Sequence, residues 1–267
     1  MSFNRKNMYE KKPLILITND DSIVAPGIRH LVEVAKRFGE VVVVAPDSPQ
    51  SAKGHAITIN EILRIQKVDV FEGVDSYTCS GTPVDCVKMA KHTVLKDRAI
   101  DLCVSGINHG SNASVNIMYS GTMSAAMEAA MEGIKAIGFS LCDFSFEADF
   151  SATQHYAAQM IAWALANNMD ECKLLNINIP KLPLSEIKGV KICRQAEARW
   201  SEDFLENTDP MGKKYYWLTG KFHCDDREHD TDIWALDNAY VSIVPCHYDL
   251  TQYNALKYYK TLENSIL

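Results

Sequence analysis

The 267-residue sequence predicts an α/β fold in which helices flank a mostly parallel sheet, followed by a C-terminal extension. Three observations predict it. Short β-branched runs such as "PLILIT" and "EVVVVAP" lack polar alternation and stop at turn residues, as strands buried on both faces do. Helical apolar stripes lie between such runs, so strand, helix and strand succeed one another as in right-handed βαβ units. After Pro180 the pattern changes to longer, more alternating segments around a polar stretch, which is hairpin chemistry.

The elements follow in order. "PLILIT" and "EVVVVAP" are the first two strands. Between them "PGIRHLVEVAKRFG" carries an apolar stripe of Ile28, Leu31, Val32, Val34 and Ala35, with Gly39 as a stop signal. "TPVDCVKMAKHTVL" reads as a helix with Pro83 near its first position, and "AIDLCVSG" as a strand. "SGTMSAAMEAAMEGI" is a helix whose Met123, Met127 and Met131 read as core packing. "AIGFSLC" is a strand, "ATQHYAAQMIAWALANN" an amphipathic helix and "KLLNINIP" a strand. Beyond these, "GVKICRQAEARW" and "KKYYWLTGKF" read as two hairpin strands joined through "NTDPMGKK". "DTDIWALDNAYVSIVPC" gives a short helix and a strand, and the tail to Leu267 is partly amphipathic. With no internal repeat or linker, residues 1–185 read as the core bearing the site. Residues 186–267 form an extension of the same domain, a kind of arm that often packs on a partner subunit.

Composition narrows the function. A hydrophobic share of 47% and a charged share of 23% are ordinary for a globular protein. A net charge of −7 argues against binding a nucleic-acid polymer, which needs clustered Lys and Arg. It leaves a small anionic substrate open, since one metal ion or helix N-terminus can reverse a local field. The eight cysteines (Cys79, Cys86, Cys103, Cys142, Cys172, Cys193, Cys224 and Cys246) are scattered without a C-x-x-C pair, which favours a reduced compartment over a disulfide framework. "MSFNRKNMYEKK" lacks an apolar signal core, and no run approaches a membrane span. The expectation is a cytoplasmic protein without a membrane partner.

Ligands of an open parallel sheet bind beyond the carboxyl ends of its strands. The loops there are rich in oxygen donors and small residues: "TNDDS" with Asn19, Asp20 and Asp21; "DSPQSAKGHAIT" with Asp47, Ser48, Ser51, Gly54 and His55; "INHGSN" with Asn108, His109, Ser111 and Asn112. A fourth element, "YSGT", opens the Met-striped helix with Ser120, Gly121 and Thr122. Carboxylates, a hydroxyl and an Asn carbonyl suit Mg²⁺ or Mn²⁺ rather than zinc. The helix start offers free N–H groups and the positive end of the helix dipole to a phosphate. Each element also has a plainer reading: a turn at Asp20 and Asp21, an N-cap at Ser120, a positive-φ glycine at Gly110, solvated loop histidines at His55 and His109. Their shared end of one sheet points to a metal-dependent site for a phosphorylated small molecule.

Six stretches, in this order, resemble the survival protein SurE family: "ILITNDDSIVAPGI", "VVVVAPDSPQSAKGHAIT", "SGTPVDCV", "VSGINHGSN", "YSGTMSAAMEAAMEGI" and "TDIWALDNAYVSIVP". The resemblance spans about residues 13 to 250. It implies a Rossmann-like three-layer α/β sandwich whose C-terminal hairpin and tail are exchanged between subunits of a homodimer or homotetramer. It implies a nucleotidase with one divalent ion per subunit, Mg²⁺ or Mn²⁺, that releases phosphate from nucleoside 5′- or 3′-monophosphates. Some members also act on short polyphosphate. The metal ligands carry over onto Asp20, Asp21, Ser51 and Asn108, with Asp20 and Asp21 as the catalytic pair. Asn112 and Ser120, Gly121 and Thr122 carry over as the phosphate-facing part, with Asn19 and His55 as further candidates. One departure is Ser22, where the family usually has Gly after the second Asp; a positive φ there would strain a serine.

Two other readings compete. A dinucleotide-binding oxidoreductase fits poorly, because "NDDS" and not G-x-G-x-x-G follows the first strand. A nucleotide-binding module without turnover differs from the enzyme only in failing to release phosphate.

Overall fold

The computed structural model describes residues 12–145 and 147–265. The polar segment read at the N-terminus, through residue 11, and the last two residues of the tail lie outside them.

A nine-stranded sheet forms the centre. Its strands are β1 (Leu14–Thr18), β2 (Glu40–Pro46), β3 (Ile65–Val68), β4 (Asp75–Cys79), β5 (Leu102–His109), β6 (Ala136–Leu141), β7 (Leu174–Ile179), β8 (Val190–Ile192) and β11 (Val241–Cys246), in the order β3-β4-β2-β1-β5-β6-β7-β11-β8. Neighbours run parallel except at β3–β4 and β7–β11. Two strands, β9 (Ala198–Thr208) and β10 (Lys214–Cys224), form a separate antiparallel hairpin. The helices are α1 (Pro26–Ala35), α2 (Pro83–Met89, continued as a π turn to Val94), α3 (Gly121–Met131), α4 (Ser151–Ala166), α5 (Asp232–Asp237) and α6 (Tyr253–Tyr259).

Burial on both faces explains the strands without polar alternation. Ile15, Ile17, Val41 and Val43 pack into one core with α1 and α4. Leu14, Leu16, Val42 and Val44 turn to the other, against α2 and α3. Successive strand residues therefore meet opposite helical layers, and no position can be polar without desolvation.

Several expectations change. Helix α1 ends at Ala35, four residues before Gly39. Gly39 serves close packing instead, since a Cβ there would lie 2.3 Å from the Pro13 carbonyl. Strand β5 runs three residues past Gly106, with a register shift between Ser105 and Asn108, so Asn108 and His109 end the strand rather than follow it. The Met stripe is core at Met123 and partly buried at Met127, but Met131, on the last turn, is 50% exposed. The first hairpin strand was read over 189–200. The chain there splits instead, because β8 joins the central sheet beside β11 and the arm begins at Ala198. Strands β3 and β4 were missed; β3 is an edge strand, β4 lies between it and β2, and both are rich in polar residues.

Candidate active site

Asp20 and Asp21 follow β1 at the carboxyl end of the parallel strands, where sheet topology places a ligand. Asp20 is 4% exposed, and Asp21 is half-buried. The Thr122 hydroxyl donates to Asp20 Oδ1, and the Thr122 backbone N–H also supports its charge. The start of α3 lies directly against this carboxylate: a Cβ on Gly121 would sit 2.6 Å from Asp20 Cβ and 2.9 Å from Oδ2. Only glycine admits that approach of a helix N-terminus, whose partial positive charge favours an anion. Burial, and then the neighbouring Asp21 charge, nevertheless push the Asp20 carboxyl up to about 6. Burial also raises Asp21, opposed by the charge and the backbone N–H of His109.

The turn itself is tied locally. Asn19 Nδ2 donates to the Ser22 carbonyl at 2.8 Å. Ser22 has φ +87°, the left-handed region. A serine held there costs about 1–2 kcal/mol relative to glycine, so the strain anticipated from the sequence is present.

The other proposed ligands converge from neighbouring segments. Gln50 N–H donates to the Asp20 carbonyl at 2.7 Å, which brings the exposed Ser51 beside the acidic turn. Asn108 Nδ2 donates to the Gly110 carbonyl at 2.8 Å, leaving Oδ1 as its free acceptor. Asn19 Oδ1 and Asp21 Oδ2 are buried with no hydrogen-bond donor. Orphaned hard-oxygen acceptors beside a second buried carboxylate have the chemistry of a divalent-cation site. Among the described residues no group of three or more His, Cys, Asp or Glu could hold a metal. A set of two carboxylates completed by a hydroxyl and an amide oxygen is a different type, closer to Mg²⁺ or Mn²⁺ chemistry.

The phosphate-facing candidates are already partly engaged. Ser120 is the N-cap of α3, its hydroxyl accepting from Met123 N–H at 3.0 Å, as the plainer reading had it. Thr122 orients Asp20. Asn112 is held in a buried amide ladder: its N–H donates to Asn178 Oδ1, its Nδ2 to Ser140 Oγ, and its carbonyl accepts from Asn176 Nδ2, each at 2.8 Å. His55 pairs with Glu128, further along α3, and Lys88 holds the other oxygen of the same carboxylate. The His55 hydrogen bond, with help from Lys88, keeps Glu128 below the usual carboxylate range. No bond joins His55 to the acidic turn among the described residues. His109 Nδ1 lies 3.2 Å from the Ser145 carbonyl, which can only accept, so Nδ1 carries the proton and the buried Nε2 is left without a partner.

Sequence reading missed the supports. Asp85 caps α2 and also accepts from Thr58 N–H and Oγ1, fastening the far end of the Ser51 loop. Asp232, fully buried, accepts from Ser114, Ala196 and Ile233 N–H and so joins the segment after Asn112 to the root of the arm. "NIN" in a strand buried on both faces was the legible signal for the ladder, since Asn there must find partners.

The sequence profile of the survival protein SurE family matches residues 15–202, which span the acidic turn, the Ser51 loop, Asn108 and the start of α3. The chain belongs to that family. Among its relatives is the 5′-nucleotidase SurE of Cytophaga hutchinsonii, 57% identical over 245 residues, covering 92% of this chain and 95% of that one. The 5′-nucleotidase SurE of Flavobacterium johnsoniae is 54% identical over 255 residues, covering 95% and 98%. The crystal structure of a SurE protein from Aquifex aeolicus superimposes with a TM-score of 0.82 at 40% identity, covering 94% of this chain and all of that one. The SurE fold is therefore the fold described above, with the Rossmann-like sheet order and the C-terminal hairpin.

Proposed function

We propose that this chain is a divalent-metal-dependent nucleotidase that hydrolyses nucleoside 5′- and 3′-monophosphates to nucleoside and phosphate, with short polyphosphate as a further substrate. The observation that carries the reading is the buried Asp20 beside the half-buried Asp21 at the sheet's ligand-binding end, with unpaired acceptors at Asn19 Oδ1 and Asp21 Oδ2. Relatives covering nearly their whole length bear the name 5′-nucleotidase.

Asp20, Asp21, Ser51 and Asn108 would hold one Mg²⁺ or Mn²⁺. Bound there, the ion would polarise a phosphoryl oxygen and acidify a water. Thr122 fixes the Asp20 carboxylate through two donors, so it cannot swing towards the phosphorus as a nucleophile without losing both. This favours water as the attacking group, with a carboxylate receiving its proton. The helix start at Gly121 would balance the charge on the transferring oxygens in the transition state, whereas the Asn112 amide already donates to Ser140 Oγ and would have to release it to reach them.

Chelated protein is expected to release no phosphate from 5′-AMP or 3′-AMP, and Mg²⁺ or Mn²⁺ to restore release. Silence with every divalent ion would favour a nucleotide-binding module instead.

We also propose that the arm and tail pack on a second copy of this chain, as a homodimer or homotetramer. Trp217, Leu218, Phe204 and Leu205 on the hairpin, and Tyr253 and Leu256 on α6, are exposed. An apolar groove of about 860 Å³ lies between Trp163 of α4 and Val190, Ile192 and Ile243 of the sheet edge. Faces of this kind on one chain mark association sites. Sedimentation at micromolar concentration should give a dimer or larger; a monomer contradicts it. No helix among the described residues is long and apolar enough to cross a membrane.

A further inference from the structure

One aromatic side chain beside the site is left almost wholly in solvent. Phe144, just past β6, is 81% exposed. Its ring packs against Gly110: a Cβ on that glycine would be 2.2 to 2.8 Å from three ring atoms. Gly110 has φ +106° and its carbonyl orients the Asn108 amide, so the ring rests on the residue that aims a proposed metal ligand.

The residues on either side of Phe144 are pinned. Asp143 Oδ1 accepts from Ser145 N–H at 3.0 Å and from Lys181 Nζ at 2.9 Å. The Ser145 carbonyl meets His109 Nδ1, Gly110 N–H donates to the Leu141 carbonyl, and Cys142 N–H donates to the Ile179 carbonyl. An exposed ring on a fixed backbone is pre-organised, and stacking on it costs little ordering.

Position supplies the rest. The acidic pair follows β1, Asn108 ends β5 and Phe144 follows β6, and these three strands are consecutive neighbours. Two strand spacings amount to about 10 Å, comparable to the reach from phosphorus to base in a nucleoside monophosphate.

We propose that Phe144 is the stacking platform for the substrate's base, a residue that sets preference for nucleotides over other phosphomonoesters. The inference rests on the nucleotidase reading above. Stacking is tolerant of base identity because every base has a π face, so purines are preferred over pyrimidines only by their larger ring area.

The test is steady-state hydrolysis of 5′-AMP, 5′-UMP and ribose 5-phosphate by wild type, Phe144→Ala and Phe144→Trp with the same divalent ion. Phe144→Ala should lower kcat/KM on 5′-AMP by about tenfold, chiefly through KM, and reduce the AMP-over-UMP ratio. On ribose 5-phosphate, which has no base to stack, the change should be under about twofold on the same stacking argument. Phe144→Trp should restore the AMP value. Equal losses on 5′-AMP and ribose 5-phosphate, or no loss on either, would overturn the proposal. Wild-type protein that cleaves ribose 5-phosphate and neither nucleotide would instead sink the nucleotidase reading itself.

Discussion

Asp21→Asn and Asp20→Asn are each expected to reduce phosphate release from 5′-AMP by about 10³-fold or more, because each removes a charge from the proposed divalent-ion site. Stability should move the other way at Asp20. Its carboxyl is raised from 3.8 to about 6 by burial and by Asp21, so the folded protein holds a proton that the unfolded chain releases earlier. A raised folded value means the contribution is fully present below about pH 4. It is lost as pH climbs through about 6. Chelated wild type should therefore lose stability on the order of 2–3 kcal/mol between these limits, and Asp20→Asn should flatten most of that slope, since an amide does not titrate whereas Asp21, also raised by burial, still does. Its oxygen can still accept from the Thr122 hydroxyl. Thermal unfolding in chelator across pH 4 to 7 measures this, and adding Mn²⁺ near neutral pH should restore what ionisation took away. An inactive Asp20→Asn variant no more stable than chelated wild type at pH 7 would show that the carboxylate is already relieved by its Thr122 donors.

Asp232→Ala carries the largest expected loss of stability, about 3–5 kcal/mol. The carboxylate is fully buried and accepts from Ser114 N–H at 2.7 Å, Ile233 N–H at 2.8 Å and Ala196 N–H at 3.0 Å. Removing it leaves three donors unpaired in a dry place, each worth about 1–3 kcal/mol before relaxation. Asp232→Asn retains an accepting oxygen and should lose roughly half as much. Urea unfolding should show a lower midpoint with an unchanged slope. Because Ser114 follows Asn112, the alanine variant should also show a raised KM for 5′-AMP. A loss below about 1 kcal/mol would mean that the segment from Ser111 to Met118 does not depend on this clamp.

The parallel half of the fold was legible because its strands are buried on both faces, and desolvation leaves such a strand only apolar residues. Strands β3 and β4 were not, since at the edge Gln66 and Lys67 are adjacent and both exposed, as loop residues are. The break at Cys193 to Glu197 escaped for another reason. It is made by Arg194 and Ala196 hydrogen bonds to Asp230 and Asp232, partners some 36 residues distant that no local pattern encodes. At the site, the acidic turn and the glycine at the α3 start could be read as types of residue. That Gly121 is required by Asp20 itself, and that Thr122 serves the carboxylate, depends on a contact across 102 residues. Ser22 was legible as the one ill-fitting residue, and its positive φ bears that out.

The nucleotidase proposal stands on Asp20, Asp21, Ser51 and Asn108 together holding one divalent ion. Anomalous diffraction from a crystal soaked in Mn²⁺ tests it most directly. The predicted result is a single peak bridging the two carboxylates, with Ser51 Oγ and Asn108 Oδ1 within about 2.0–2.6 Å of it. A peak at the Glu128–His55 pair, or none beside Asp20 and Asp21 at saturating Mn²⁺, would contradict it.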